Sequence, residues 1–129
     1  MRFGYFLSCE EFAPAQLLAQ ARLAEESGFE ALWISDHYHP WNDEQGQSPF
    51  VWSVIGALSQ VSRLPVTTAV TCPTVRTHPA LIAQAAATSA VLHDGRFRLG
   101  VGPARRSTST SSETPGRPPP CASRCWKRR

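Results

Sequence analysis

Three things are scarce in this chain: long apolar runs, paired cysteines and, beyond residue 102, branched aliphatic side chains of any kind. No segment approaches the ~18 consecutive apolar residues that span a bilayer, so no membrane partner is expected. The first residues carry no basic leader followed by an apolar block, which argues against export. Cysteines stand at 9, 72, 121 and 125, and Cys9 and Cys72 show no disulfide-framework spacing; a cytoplasmic location fits. Cys121 and Cys125 lack the second pair that a tetrahedral zinc site needs, so no metal is expected.

The net charge of +3 averages two unlike parts. Residues 1–102 hold nine acids against six Lys and Arg, a balance of −3, whereas residues 103–129 hold seven basic groups against Glu113, a balance of +6. The first part is long enough for one small domain. The second is a basic tail rich in Pro, Ser and Arg, expected to be disordered because it cannot bury enough apolar area to offset ordering entropy. Its charge has neither aromatic interleaving nor a helical face, so a nucleic-acid partner is not expected.

What the first part does have is alternation. Residues 2–8 are short, apolar and aromatic and predict a strand. Pro14 opens a helix with Leu17, Leu18, Ala21, Leu23 and Ala24 near helical spacing and Gly28 as its stop. Residues 30–35 form a second apolar run, the pattern of a buried parallel strand. After a polar loop over 36–49, residues 50–60 predict a helix with Trp52, Ile55, Ala57 and Leu58 on its buried side. Residues 64–70 are β-branched and predict a third strand. Pro79 to Leu92 is an alanine-rich helix stopped by Asp94-Gly95, and 96–101 predict a fourth strand. The order β-α-β-α-β-α-β implies an α/β protein with a parallel sheet and right-handed crossovers. Periodicity alone leaves open a doubly wound sheet or half of an eight-stranded barrel.

In either architecture, active sites gather at the C-terminal ends of parallel strands. Ser35-Asp36-His37-Tyr38-His39-Pro40-Trp41 follows the second strand directly. A histidine there can shuttle protons near neutral pH, and the adjacent Asp36 can fix its tautomer or bind a ligand hydroxyl. The plainer alternative makes Asp36 a cap and His37 a solvated loop residue. Trp41 is either a stacking wall for a ligand or packing against its own loop; His39 reads as structural. Glu10 and Glu11 follow the first strand and could reach the same mouth, but acids just ahead of a helix also serve its dipole. Ala69-Val70 reads as plain strand, and Gly100-Val101-Gly102 lets backbone approach a flat ligand.

These residues also form a familiar set. Gly4-Tyr5 with Glu10 through Pro14, the Ser35-Asp36-His37 block with His39-Pro40-Trp41, Gly46 with Pro49-Phe50, Thr71 with Pro73-Thr74 and Arg76, Pro79 with Ile82-Ala83-Gln84-Ala85, and Leu99 through Gly102 resemble the luciferase-like family of TIM barrels. The likeness is to its deazaflavin branch, typified by F420-dependent glucose-6-phosphate dehydrogenases. The resemblance implies the N-terminal half of a (β/α)8 barrel, coenzyme F420 as cofactor, and hydride transfer from a hydroxyl-bearing small molecule. It implies Asp36 as a cofactor ligand, His37 as the base, and Trp41 and Glu10 lining the substrate side. It further implies a non-proline cis peptide at Ala69-Val70 against the ring, with Gly102 beside it, and a homodimer for intact members.

The likeness stops near Gly102. Family members continue with a small residue and Gly-Glu-Ala-Leu-Asn-Glu, then run on to ~250 residues in total. Written in permitted codons, the stretch from Pro103 to Ser107 can read Gly-Glu-Ala-Leu in another frame. A frameshift near Gly102 or Pro103 is therefore expected, leaving the chain weakly active or inactive. Two other readings remain: an FMN-dependent monooxygenase of the same superfamily, and a non-catalytic half-barrel module whose basic tail recruits an acidic partner.

Overall fold

A computed structural model describes residues 1–73 and 76–103. The chain alternates β1 (Gly4–Leu7), α1 (Pro14–Glu26), β2 (Ala31–Ile34), α2 (Val51–Leu58), β3 (Val66–Thr68), α3 (Pro79–Leu92) and β4 (Phe97–Arg98). The strands pair in chain order, all parallel, with Tyr5, Leu32, Val66 and Phe97 in one row and Leu7, Ile34 and Thr68 in the next. Every element predicted from the sequence is present. The strands are shorter than predicted at both ends. The arrangement is the first four β-strands and three α-helices of a TIM barrel. The tail expectations, disorder and the Cys121/Cys125 pair included, fall outside the described residues.

Local chemistry explains the helix ends. Proline opens α1 and α3, where its missing N–H costs nothing. Before α1 the Gln16 side chain accepts the Ala13 N–H at 2.9 Å, and before α3 His78 Nδ1 accepts the Ala80 N–H at 3.2 Å. Gly28 at φ +86° ends α1, with the Phe29 N–H returned to Ala24 O at 3.0 Å. After α3 the chain turns through Asp94 and Gly95, both at positive φ.

The sheet has two unlike faces. Leu7, Leu32, Ile34, Val66, Thr68 and Phe97 are buried and meet Leu17, Ala21, Ala24, Val51, Ile55 and Leu58 from the helices. The alternate positions point the other way. There Phe6 is 49% and Trp33 51% exposed, and Arg98 is exposed as well. The second strand was expected to be buried throughout; among the described residues it is buried on one face only. The core face of α2 also differs from expectation, being Val51, Val54, Ile55 and Leu58, with Trp52 half-buried against Phe97 at a ring separation of 5.9 Å. In α1, Leu23 faces out.

Candidate active site at the strand ends

All four strands deliver their C-terminal ends to one mouth, as parallel pairing requires. Ser8, Cys9 and Glu10 follow β1, and Ser35, Asp36 and His37 follow β2. Glu10 is 3% exposed, yet it sits in a polar nest. Its Oε2 accepts from Ser35 Oγ at 2.8 Å and from Ser8 Oγ at 3.0 Å, and its Oε1 meets His37 Nδ1. Ser35 Oγ in turn accepts the Cys9 N–H at 2.9 Å. Burial alone would raise the Glu10 carboxyl, but hydrogen bonds from His37 and Ser35 outweigh it and hold the group down at about 2. Burial, reinforced by the Glu10 charge, pushes the neighbouring Cys9 thiol up to about 12.

Glu10 turns its carboxylate to Ser8, Ser35 and His37, whereas α1 begins four residues later at Pro14. Glu11 is exposed, its Oε1 3.5 Å from Gln45 Nε2. Glu10, rather than Asp36, is the carboxylate that contacts the His37 ring. An ionised Glu10 accepts the Nδ1 proton, which leaves Nε2 as the free nitrogen. Trp41 packs edge-on to His37 with ring centroids 4.9 Å apart and planes at 81°, and stays 43% exposed. His39 is exposed and its Nδ1 turns to Pro40 O at 2.8 Å.

Asp36 is 6% exposed and makes an ion pair through Oδ1 with Arg76, which comes from the loop after β3. Its Oδ2 is buried without a partner among the described residues, as is Thr71 Oγ1. The Ala69–Val70 peptide beside them is cis. Across from it, Thr71 bridges Val101, and the Gly102 N–H reaches Thr71 O at 3.1 Å. A Cβ on Gly102 would lie 2.6 Å from Val70 Cγ2, and one on Gly100 would overlap the Thr68 backbone carbonyl. Glycine is thus the residue that lets the end of β4 lie flat against the end of β3.

The structure therefore brings Glu10, His37 and Trp41 into direct contact, and places Asp36, Ala69, Val70 and Gly102 at the ends of the same parallel strands. Sequence alone gave no role to Arg76, Ser35 or Thr71, and Ser8 did not stand out from its strand. Topology could have found Arg76: of the six basic residues in 1–102, it is the one on a loop that follows a strand's C-terminal end. Among the described residues no cluster of His, Cys, Asp or Glu suits a metal, and no helix is long and apolar enough to cross a membrane.

The parallel α/β sheet, with a buried acid set against a histidine at the strand ends, places the chain in the TIM-barrel class of folds. The profile of the luciferase-like monooxygenase family matches residues 1–115, and the chain belongs to that family. It is 43% identical over 104 residues to the F420-dependent hydroxymycolic acid dehydrogenase of Mycobacterium tuberculosis, covering 80% of this chain and 29% of that one. It is 45% identical over 103 residues to the F420-dependent glucose-6-phosphate dehydrogenase of Microbacterium testaceum, covering 79% and 31%. An F420-dependent secondary alcohol dehydrogenase, solved with an F420-acetone adduct, superposes with a TM-score of 0.74 at 39% identity over 78% of this chain and 31% of that one. The chain thus spans less than a third of the length of the curated relatives it matches.

Proposed function

We propose that residues 1–102 are the ring-facing part of an F420-dependent oxidoreductase site that acts on a hydroxyl-bearing small molecule in the cytoplasm. The observation that carries this reading is the Glu10–His37–Trp41 contact, set at the same strand ends as the unpartnered Asp36 oxygen. The residues present fit a flat polar ring. Asp36 Oδ2 and Thr71 Oγ1 are buried acceptors with spare capacity, and Gly102 leaves bare backbone beside Val70. Asp36, Ala69, Val70 and Gly102 would hold the deazaflavin. When bound, the deazaflavin supplies a carbon that accepts hydride from the substrate.

The chain's own residues manage the proton. Glu10 fixes the His37 tautomer, and Nε2 takes the hydroxyl proton as carbonyl character develops at the substrate carbon. Trp41 walls the ring edge of His37 and limits water there. Arg76 holds one oxygen of Asp36 so that the other is aimed at the ligand. We assign residues 103–129 to a separate basic stretch produced by a frame change near Gly102 or Pro103, and expect the chain as written to turn over weakly or not at all. Support comes from the loss of branched aliphatics beyond residue 102.

Titrating the purified chain with F420 and, separately, with FMN tests the reading. F420 binding weakened ~10-fold or more by Asp36→Ala is expected, the loss of one charge-assisted hydrogen bond. Binding of FMN alone would replace the deazaflavin by a flavin, and binding of neither would favour the non-catalytic module. Sequencing the gene's DNA across codon 103 decides the frame: no family-like reading in the alternative frame removes that part of the proposal.

A further inference from the structure

The side chains that meet the Glu10 carboxylate differ in where they come from. Ser8 lies two residues before Glu10 on the same loop and moves with it, and His37 is the group being held. Ser35 is the anchor on the other side. It is 1% exposed, directly follows β2 two residues before His37, and donates to Glu10 Oε2 at 2.8 Å.

The Ser35 hydroxyl has one proton and two acceptors in reach, Glu10 Oε2 at 2.8 Å and Leu7 O at 3.4 Å. Charge and distance both favour the carboxylate. The Cys9 N–H, 2.9 Å away, occupies a lone pair of the same oxygen, which fixes the hydroxyl's orientation and polarises its O–H towards the acid. One connected path results, from the Cys9 amide through the Ser35 hydroxyl and the Glu10 carboxylate to the His37 ring. A glutamate bonded through Oε1 alone keeps the freedom of its side-chain torsions. Bonded also through Oε2 to the strand end that carries His37, its carboxylate plane is set.

We propose that Ser35 is a positioning residue for the acid–base pair: its hydroxyl locks the Glu10 carboxylate to the end of β2, so that Oε1 stays on His37 Nδ1 and Nε2 is left as the nitrogen open to a substrate hydroxyl. Ser35 acts through Glu10 and His37 and touches no reacting atom. Ser8 adds a bond to the same Oε2 at 3.0 Å, but it is half-buried and gives the acid no reference to β2. The inference deepens the function proposed above and rests on its reading of His37 as the base.

Nitrogen-15 NMR of the full chain, labelled at its four histidines and held at pH ~9 without cofactor, reads which ring nitrogen carries the proton. The His37 signals are those lost in His37→Asn. The expected result is His37 protonated at Nδ1. In Ser35→Ala the ratio of the Nδ1–H to the Nε2–H form should fall ~10-fold, the worth of one charge-assisted hydrogen bond. Ser35→Thr keeps the hydroxyl and should restore the ratio, and Ser8→Ala should leave it unchanged. If Ser35→Ala does not fold, Ser35→Cys fills the same space with a weakly donating thiol and must show the same fall. A ratio that stays put in the folded Ser35 variant, whatever stability it loses, makes Ser35 structural only and overturns the proposal. So does an Nε2–H ring in the unaltered chain, or an equal fall in Ser8→Ala, which would mean that any donor to the acid suffices. The measurement needs no cofactor, so a failure to bind F420 alongside the expected tautomer response removes the deazaflavin reading and leaves the role of Ser35 standing.

Discussion

The mouth has two halves built on opposite principles. At the ends of β1 and β2 the polar groups other than Asp36 engage one another: Ser8, Ser35 and His37 all meet Glu10, and Ser35 also holds the Cys9 amide. At the ends of β3 and β4 the chain is spare, with a cis peptide, two glycines, exposed Val70 and Val101, and a buried Thr71 hydroxyl without a partner among the described residues. One half fixes a proton's address. The other keeps a surface bare. In the function proposed, an acid–base group and the seat of a flat ligand fall on different strands, and Arg76 crosses between them to reach Asp36.

The largest expected effect comes from the bare half. In Gly100→Ala the new Cβ meets the Thr68 carbonyl, a backbone atom that cannot step aside, so a loss of ~3 kcal/mol in urea unfolding is expected. Gly102→Ala meets the movable Val70 side chain instead, and should cost visibly less. Equal costs would show that the two glycines are not distinguished by what lies against them. Next is the crossing. Arg76→Leu leaves the Asp36 carboxylate buried and unmatched and should cost ~2 kcal/mol, with Asp36→Asn in the same chain restoring most of it.

The β1–β2 half is tested by acid. The Glu10 carboxyl titrates at about 2 in the folded chain, below its ordinary 4.5. Its contribution to stability is therefore complete above pH ~4.5 and is lost as pH falls towards ~2. Unfolding free energy measured from pH 6 to 2 should slope downward in that window, and Glu10→Gln should flatten the slope. An unchanged slope would assign the acid limb to other carboxylates. The smallest effect is expected at Trp41, already 43% exposed: Trp41→Ala should change stability by ~0.5 kcal/mol or less while removing the ring edge against His37.

Much of the fold was legible because its signals are local. Pro14 and Pro79 open their helices, Gly28 and Asp94-Gly95 close theirs, and strand and helix alternate as the hydrophobic pattern said. Trp52 misled because bulk and apolarity do not fix a helix's facing; α2 turns Val51 and Val54 inward and leaves Trp52 at the margin. Trp33 misled because an apolar run reports what a complete barrel buries, and the described residues supply only one cover. The site was legible where neighbours in sequence carried it, at Asp36, His37 and Trp41. Glu10 lies 27 residues from His37 and Arg76 40 from Asp36, separations that no local pattern encodes. Strand order put Glu10 and Glu11 within reach of the mouth, family likeness singled out Glu10, and Arg76 took on a role only once the strands were in place.

The Ser35 hydroxyl receives the amide of one loop and gives its proton to the acid on the same loop. It works like a rivet between two chain segments that are distant in sequence. A loop graft that swaps residues 8–12 alone would import an acid with nothing to seat it, and a graft of the 35–41 segment alone would bring an imidazole with nothing to aim it. Anyone transplanting this corner onto another barrel has to move both segments as a single cassette.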